Sequence, residues 1–169
     1  GIDSSHPDLQ GKIVSQADFV PLTFKTKNLY PLLRGKCDDY GDGDDDNIAN
    51  DRVGHGTHIA GIIAANGDEV KGIAPGANLM AVKVLDTCSA RKSWIIKGIE
   101  YAVDPNGDGD YSDRADIISM SLGLAGGEDD PLSVAASRAM QLGTLVVVSG
   151  GNEGKSAVWF IASSINALA

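Results

Sequence analysis

Leu79-Met80-Ala81-Val82-Lys83-Val84-Leu85 is apolar at every position except Lys83. A strand with one face in water alternates apolar and polar side chains. A continuous run instead fits a strand covered on both faces, as in a parallel sheet. The same character recurs at residues 117–122 and 145–148, and more weakly at 13–20. Helical segments separate these runs. Residues 55–65, rich in Ala and Ile, are one. Residues 94–103 are a second, with Ser93 as a cap and Trp94, Ile95, Ile99 and Ala102 at helical spacing. Asp130 and Pro131 open a third as N-cap and N1, and Gly143 ends it at C′. Strand and helix alternating at these intervals predict right-handed βαβ crossovers in an open α/β sheet. Ligands of such sheets bind beyond the carboxyl ends of the strands. Those ends are residues 86–90, 122–124 and 149–152.

The chain has 169 residues, 43% hydrophobic and 22% charged, enough for a substantial core. Its net charge of −9 and pI near 4.6 argue against nucleic acid or an anionic membrane as partner. That balance fits a secreted or cation-binding protein. Every apolar stretch falls far short of the roughly 18 residues needed to span a bilayer. Neither a GxGxxG after a strand nor a Gly-Lys-Ser/Thr phosphate loop is present, which disfavours a nucleotide-binding enzyme. Cys37 and Cys88 match no metal motif and allow one disulfide or two free thiols.

Chemistry concentrates at His55-Gly56-Thr57-His58-Ile59-Ala60-Gly61. Gly54 and Gly56 flank the first histidine, directly ahead of an apolar helical pattern. Glycines let backbone turn sharply and approach closely. They present at a surface the side chain best suited to moving protons near neutral pH.

Five segments, in order, resemble the subtilisin-like serine proteases. They are Gly1-Ile2-Asp3-Ser4-Ser5-His6-Pro7-Asp8-Leu9; His55-Gly56-Thr57-His58; Gly72-Ile73-Ala74-Pro75-Gly76-Ala77 with Val82-Lys83-Val84-Leu85; Ser119-Met120-Ser121-Leu122-Gly123; and Val146-Val147-Val148-Ser149-Gly150-Gly151-Asn152-Glu153-Gly154. The resemblance implies an α/β fold with three layers, an open and mostly parallel sheet with helices on both faces. Residues 1–169 would form part of one catalytic domain, with acidic insertions near 22–49 and 104–116. It implies a secreted, monomeric serine endopeptidase that acts on protein or peptide substrates, with no nucleic-acid partner and no membrane insertion. His55 would be the general base, and Asn152 would donate to the oxyanion of the tetrahedral intermediate. Ser121, Leu122 and Gly123 on one side, and Cys88, Ser89 and Ala90 on the other, would hold an extended peptide. Taken singly, residues 121–123 also fit a plain strand end, and Asn152 a turn.

The departures from the family pattern matter equally. The family's catalytic aspartate begins an Asp-(Ser/Thr)-Gly motif whose glycine matches Gly1, so that residue is expected two positions ahead of Gly1. Asp3 is a later acid of the same segment. The nucleophile belongs to a Gly-Thr-Ser-Met-Ala motif, and Ser156, Ser163 and Ser164 lack that context. The expectation is a catalytic domain truncated at both ends, inert by itself. The alternative is an inactive calcium-binding structural or interaction module derived from a protease.

Asp104, Asn106 and Asp108 followed by Gly109 reproduce the first half of an EF-hand-like loop. Ala115 stands where the bidentate Glu belongs, and Asp110, Asp113 or Asp116 would have to substitute. Some subtilisin-like proteases carry Ca²⁺ on such an insertion, so structural Ca²⁺ is expected here. The competing reading is a solvated acidic turn. Residues 42–47 lack that order. Asp8 matches a family calcium ligand, but its partner loop, residues 66–71, is shortened.

Overall fold

A computed structural model of the chain describes residues 1–20, 48–86, 89–123 and 129–152. It divides into two compact units, Gly1–Trp94 and Ile95–Ala169. In the first, β1 (Ile13–Asp18) pairs parallel with β2 (Leu79–Lys83), and α1 (His55–Ala64) lies between them in sequence. Leu9, Ala60, Ala64 and Leu79 form a buried cluster, with Ile2, Ile13, Ile63 and Ala77 packed against it. The small alanines of α1 are what the core receives, so the helix packs closely.

The strand expected over 79–85 is shorter than its apolar run. Pairing with β1 ends at Asp18↔Lys83. There the Asp18 carboxylate takes the Val20 N–H and turns β1 aside. Leu85 belongs instead to a small antiparallel ladder, β3 (Leu85–Asp86) with β4 (Ser89–Ala90). β1 likewise stops before residue 20. A second difference concerns α2 (Lys92–Val103), which begins before Ser93. The Trp94 N–H already reaches back to the Arg91 carbonyl, so Ser93 lies inside the first turn and is not the cap. The expected apolar face of α2 is buried at Trp94, Ile95, Ile99 and Ala102.

In the second unit β5 (Ile117–Met120) pairs parallel with β6 (Leu145–Val148), β5 ending two residues short of the expected 122. α3 (Pro131–Gln141) connects them and has the predicted signals at both ends. Asp130 Oδ1 accepts from Leu132 N at 3.1 Å. Gly143, at φ 97°, closes a Schellman motif in which its N–H bonds Met140 O and the Thr144 N–H bonds Ala139 O. Thr144 Oγ1 then donates to Ala115 O at 2.8 Å, and Leu145 N–H to Asp116 O. The helix stop thereby delivers β6 into register with β5. α3 buries Leu132, Ala136 and Ala139, and β6 buries Val146 and Val148.

Lys83, the one charge in the apolar run of β2, pairs with Asp18 at 3.3 Å, the side chains 9% and 6% exposed. Removing one partner of such a pair strands a buried charge. Replacing both with apolar groups avoids that penalty. In the protein expressed from its complete gene, Lys83→Met should cost about 3–5 kcal/mol in denaturant unfolding. Asp18→Leu/Lys83→Met should recover much of it, and additive losses in the double variant would contradict this account.

Candidate active site

His55 is the first residue of α1 and is exposed. Its presentation depends on a helix start without an ordinary cap. The N-cap is Gly54, in left-handed conformation at φ 89°, with no side chain to accept a backbone N–H. Asp51 supplies the acceptors instead. Its Oδ1 takes the N–H groups of Val53 and Gly54, each at 2.9 Å. Its Oδ2 takes the Thr57 N–H at 2.8 Å and the Thr57 hydroxyl at 2.6 Å. The Thr57 oxygen in turn accepts the Asp3 N–H at 2.9 Å. Four hydrogen bonds therefore tie Asp51 to residues 53–57, and a fifth, from the Asp3 N–H to Thr57, links them to the segment at the start of the chain.

That segment lies directly against the histidine helix. The Ile2 N–H donates to Ala49 O at 2.8 Å. A Cβ on Gly56 would collide with the Gly1 carbonyl oxygen. Only glycine at 56 permits this approach of two backbones. Burial alone would raise the Asp51 pKa. The Thr57 hydroxyl and the N–H groups of Thr57, Val53 and Gly54 outweigh it and hold the carboxyl at about 2.

In the second unit the ends of β5 and β6 bring two predicted segments side by side. The Ser149 N–H donates to Met120 O, and Ser149 Oγ donates to Leu122 O at 3.2 Å. Ser121, Leu122 and Gly123 are half-buried, and Asn152 is exposed in the loop after β6. Ser89 and Ala90 form β4; Cys88, like Cys37, lies outside the described residues.

The loop at 104–110 curls around its own carboxylates. Asp104 accepts the N–H groups of Gly107, Asp108 and Gly109. Asn106 Oδ1 accepts from Asp108 N–H, Asp108 Oδ1 from Asp110 N–H, and Asp110 Oδ1 from Ser112 N–H. Asp113 ends the short 3-10 turn that follows. These oxygens are donors that Ca²⁺ accepts. Among the described residues no three His, Cys, Asp or Glu side chains converge to hold a metal as they stand. Asp8 packs its carboxylate against Gly67 and bonds Asn66 N–H through its backbone carbonyl.

The sequence places Ser149 in the strand end at 149–152 without a role of its own and does not single out Asp51. The available signal for Asp51 was an acid three residues ahead of a glycine N-cap, a position from which a side chain can replace the missing cap.

The family model that matches residues 1–169 is the subtilase family of peptidases. The major intracellular serine protease of Bacillus subtilis (strain 168) is 41% identical over 159 residues, covering 91% of this chain and 41% of that protein. Subtilisin E of the same organism is also 41% identical over 159 residues, covering 92% of this chain and 33% of that protein. Among solved structures, sphericase superposes with a TM-score of 0.75 at 30% identity, over 99% of this chain and 49% of that one. The chain thus spans between a third and a half of the length of these relatives.

The Asp51 bonds have a consequence for acid stability. Its folded pKa, about 2, lies below the ordinary 3.8, so ionised Asp51 favours the folded state. The contribution is complete above about pH 5 and disappears as pH falls through about 2. Allowing for its partial exposure, it should amount to on the order of 1 kcal/mol. Asp51→Asn should flatten this part of the stability–pH curve measured by denaturant unfolding. An unchanged slope between pH 5 and 2 would contradict it.

Proposed function

The chain belongs to the subtilase family, and on this basis we propose that it is part of the catalytic domain of a serine endopeptidase with His55 as general base. The observation carrying this reading is the junction at the start of α1. His55 is exposed there, and the segment that resembles the one after the family's catalytic aspartate is bonded to its helix through Thr57. An aspartate ahead of that segment would be well placed to orient the imidazole. A serine from the family's Gly-Thr-Ser motif would be the nucleophile.

In the proposed reaction His55 takes the serine proton as the hydroxyl oxygen attacks the peptide carbonyl, then returns it to the departing amine. The Asn152 side-chain N–H donates to the oxyanion, a role worth about 10²–10³ in kcat, as known for subtilisin. Residues 121–123, and likewise residues 88–90, would bind an extended peptide through backbone groups. The 169 residues alone hold no serine in the nucleophile's sequence context and should not turn over.

We further propose structural Ca²⁺ at the acidic loop, held by Asp104, Asn106 and Asp108 with Asp110 and Asp113. Oxygen donors at alternate residues of a curled loop support it. Binding would require these side chains to turn inward from the N–H groups that they now cap. Bound to the folded state alone, the ion would stabilise it by mass action.

The protein from the complete gene should hydrolyse an unfolded protein substrate, and His55→Ala should abolish more than 99.9% of that activity, about the loss expected for a triad member. Retained activity in His55→Ala would overturn the assignment. Absence of activity in the parent would favour the inactive module.

Millimolar Ca²⁺ should raise the thermal midpoint above that in excess chelator, and Asp104→Asn/Asp108→Asn should shrink the difference. Equal midpoints in the parent protein would remove the calcium proposal.

A further inference from the structure

We propose that Asp51 is a positioning residue for His55: its carboxylate serves as the cap that α1 lacks and, through Thr57, locks the Gly1–Asp3 segment onto the histidine helix. This rests on the reading of His55 as general base. Each of the two carboxylate oxygens has a distinct task. Oδ1 fixes the turn ahead of the helix by holding the Val53 and Gly54 N–H groups. Oδ2 fixes the first turn of the helix by holding both the N–H and the hydroxyl of Thr57.

His55 lies between the two clamped points and has no side-chain cap of its own helix beside it. The first N–H groups of a helix lack intrahelical partners, and negative charge near them is favourable. Asp51 meets both needs from outside the helix. With Thr57 committed to the carboxylate as donor, its oxygen lone pair is aimed at the Asp3 N–H. Thr57 is therefore polarised in one direction along the chain from Asp3 to Asp51. The arrangement sets the angle at which the imidazole leaves the helix, and the distance from that helix to the segment where its orienting partner is expected.

Asparagine at 51 cannot reproduce this. Its single oxygen can still accept from Val53 and Gly54, but its amide would face the Thr57 N–H as a second donor. Thr57 would lose its backbone bond and reorient its hydroxyl. A displacement on the order of 1 Å at a catalytic group costs about 10²-fold in rate.

The test uses the protein from its complete gene, with kcat normalised to sites titrated by an irreversible serine-directed sulfonyl fluoride. Wild type and His55→Ala are compared first; a wild type without peptidase activity overturns both the function and this role. Given an active wild type, Asp51→Asn should lower kcat per titrated site about 10- to 100-fold, with KM within about twofold. Thr57→Val should do the same, while Thr57→Ser, which keeps the hydroxyl, should retain most of the wild-type kcat. The Thr57 pair decides the matter if Asp51→Asn does not fold. Unchanged kcat per titrated site in Asp51→Asn or Thr57→Val, with only a lowered thermal midpoint, would reduce Asp51 to a structural role and overturn the proposal.

Discussion

The arrangement of the first unit depends on one carboxylate accepting from four donors. Asp51 lets three backbone segments, at residues 1–3, 49–51 and 54–57, meet without leaving polar groups stranded. Close approach of the backbones partly covers the Thr57 and Asp3 N–H groups, which are satisfied by protein. Glycine at 56 removes the steric obstacle, and Asp51 removes the electrostatic one. Neither suffices alone. A glycine contact without acceptors would leave the half-covered Thr57 N–H unpaired, and a carboxylate without Gly56 could not draw the Gly1 carbonyl so near.

The junction also bears on the segment between residues 20 and 48, an acidic insertion in the sequence-based expectation. The entropy of closing a loop grows only logarithmically with its length, so added residues cost little once the ends are held. β1 holds one end through its pairing with β2, and the Ile2 N–H to Ala49 O bond holds the other. The described residues on both sides of that segment are thus anchored.

Features governed by local chemistry were legible in the sequence. The start and stop of α3 were read from Asp130, Pro131 and Gly143, because capping depends on residues within one turn of the helix end. β6 matched its run residue for residue. Errors arose where a distant partner decided the outcome. The end of β2 depends on Asp18 turning β1 away, which no inspection of residues 79–85 reveals. The start of α2 was placed at the conventional capping residue, although the turn begins at Arg91. The exposed position of His55 at a helix start was legible because its Gly-flanked setting is unusual. Asp51 escaped notice because its partners are recognised only once Gly54 is known to be an N-cap. Ser149 was legible only as part of a strand end: its bond to Leu122 exists only after β5 and β6 pair.

Lys83 shows how an apparent exception to a pattern can specify it. A lysine inside an apolar run should weaken a buried strand, and by stability alone an apolar residue would serve as well. Sliding β2 by one residue against β1 would place Val82 or Val84 opposite Asp18 and leave two buried charges without each other. Alternative registers are therefore penalised far more than the native one is stabilised. Burial alternates along β2, with Leu79, Ala81 and Lys83 buried and Met80 and Val82 half-buried, so packing and the ion pair favour the same register. Parallel pairing also lacks a hairpin turn to set its register. The ion pair supplies that information from the side chains. β2 leads into the β3–β4 ladder, which ends at Ala90. A slip of one residue would turn each side chain of β2 to the opposite face, and the loop beyond it would follow.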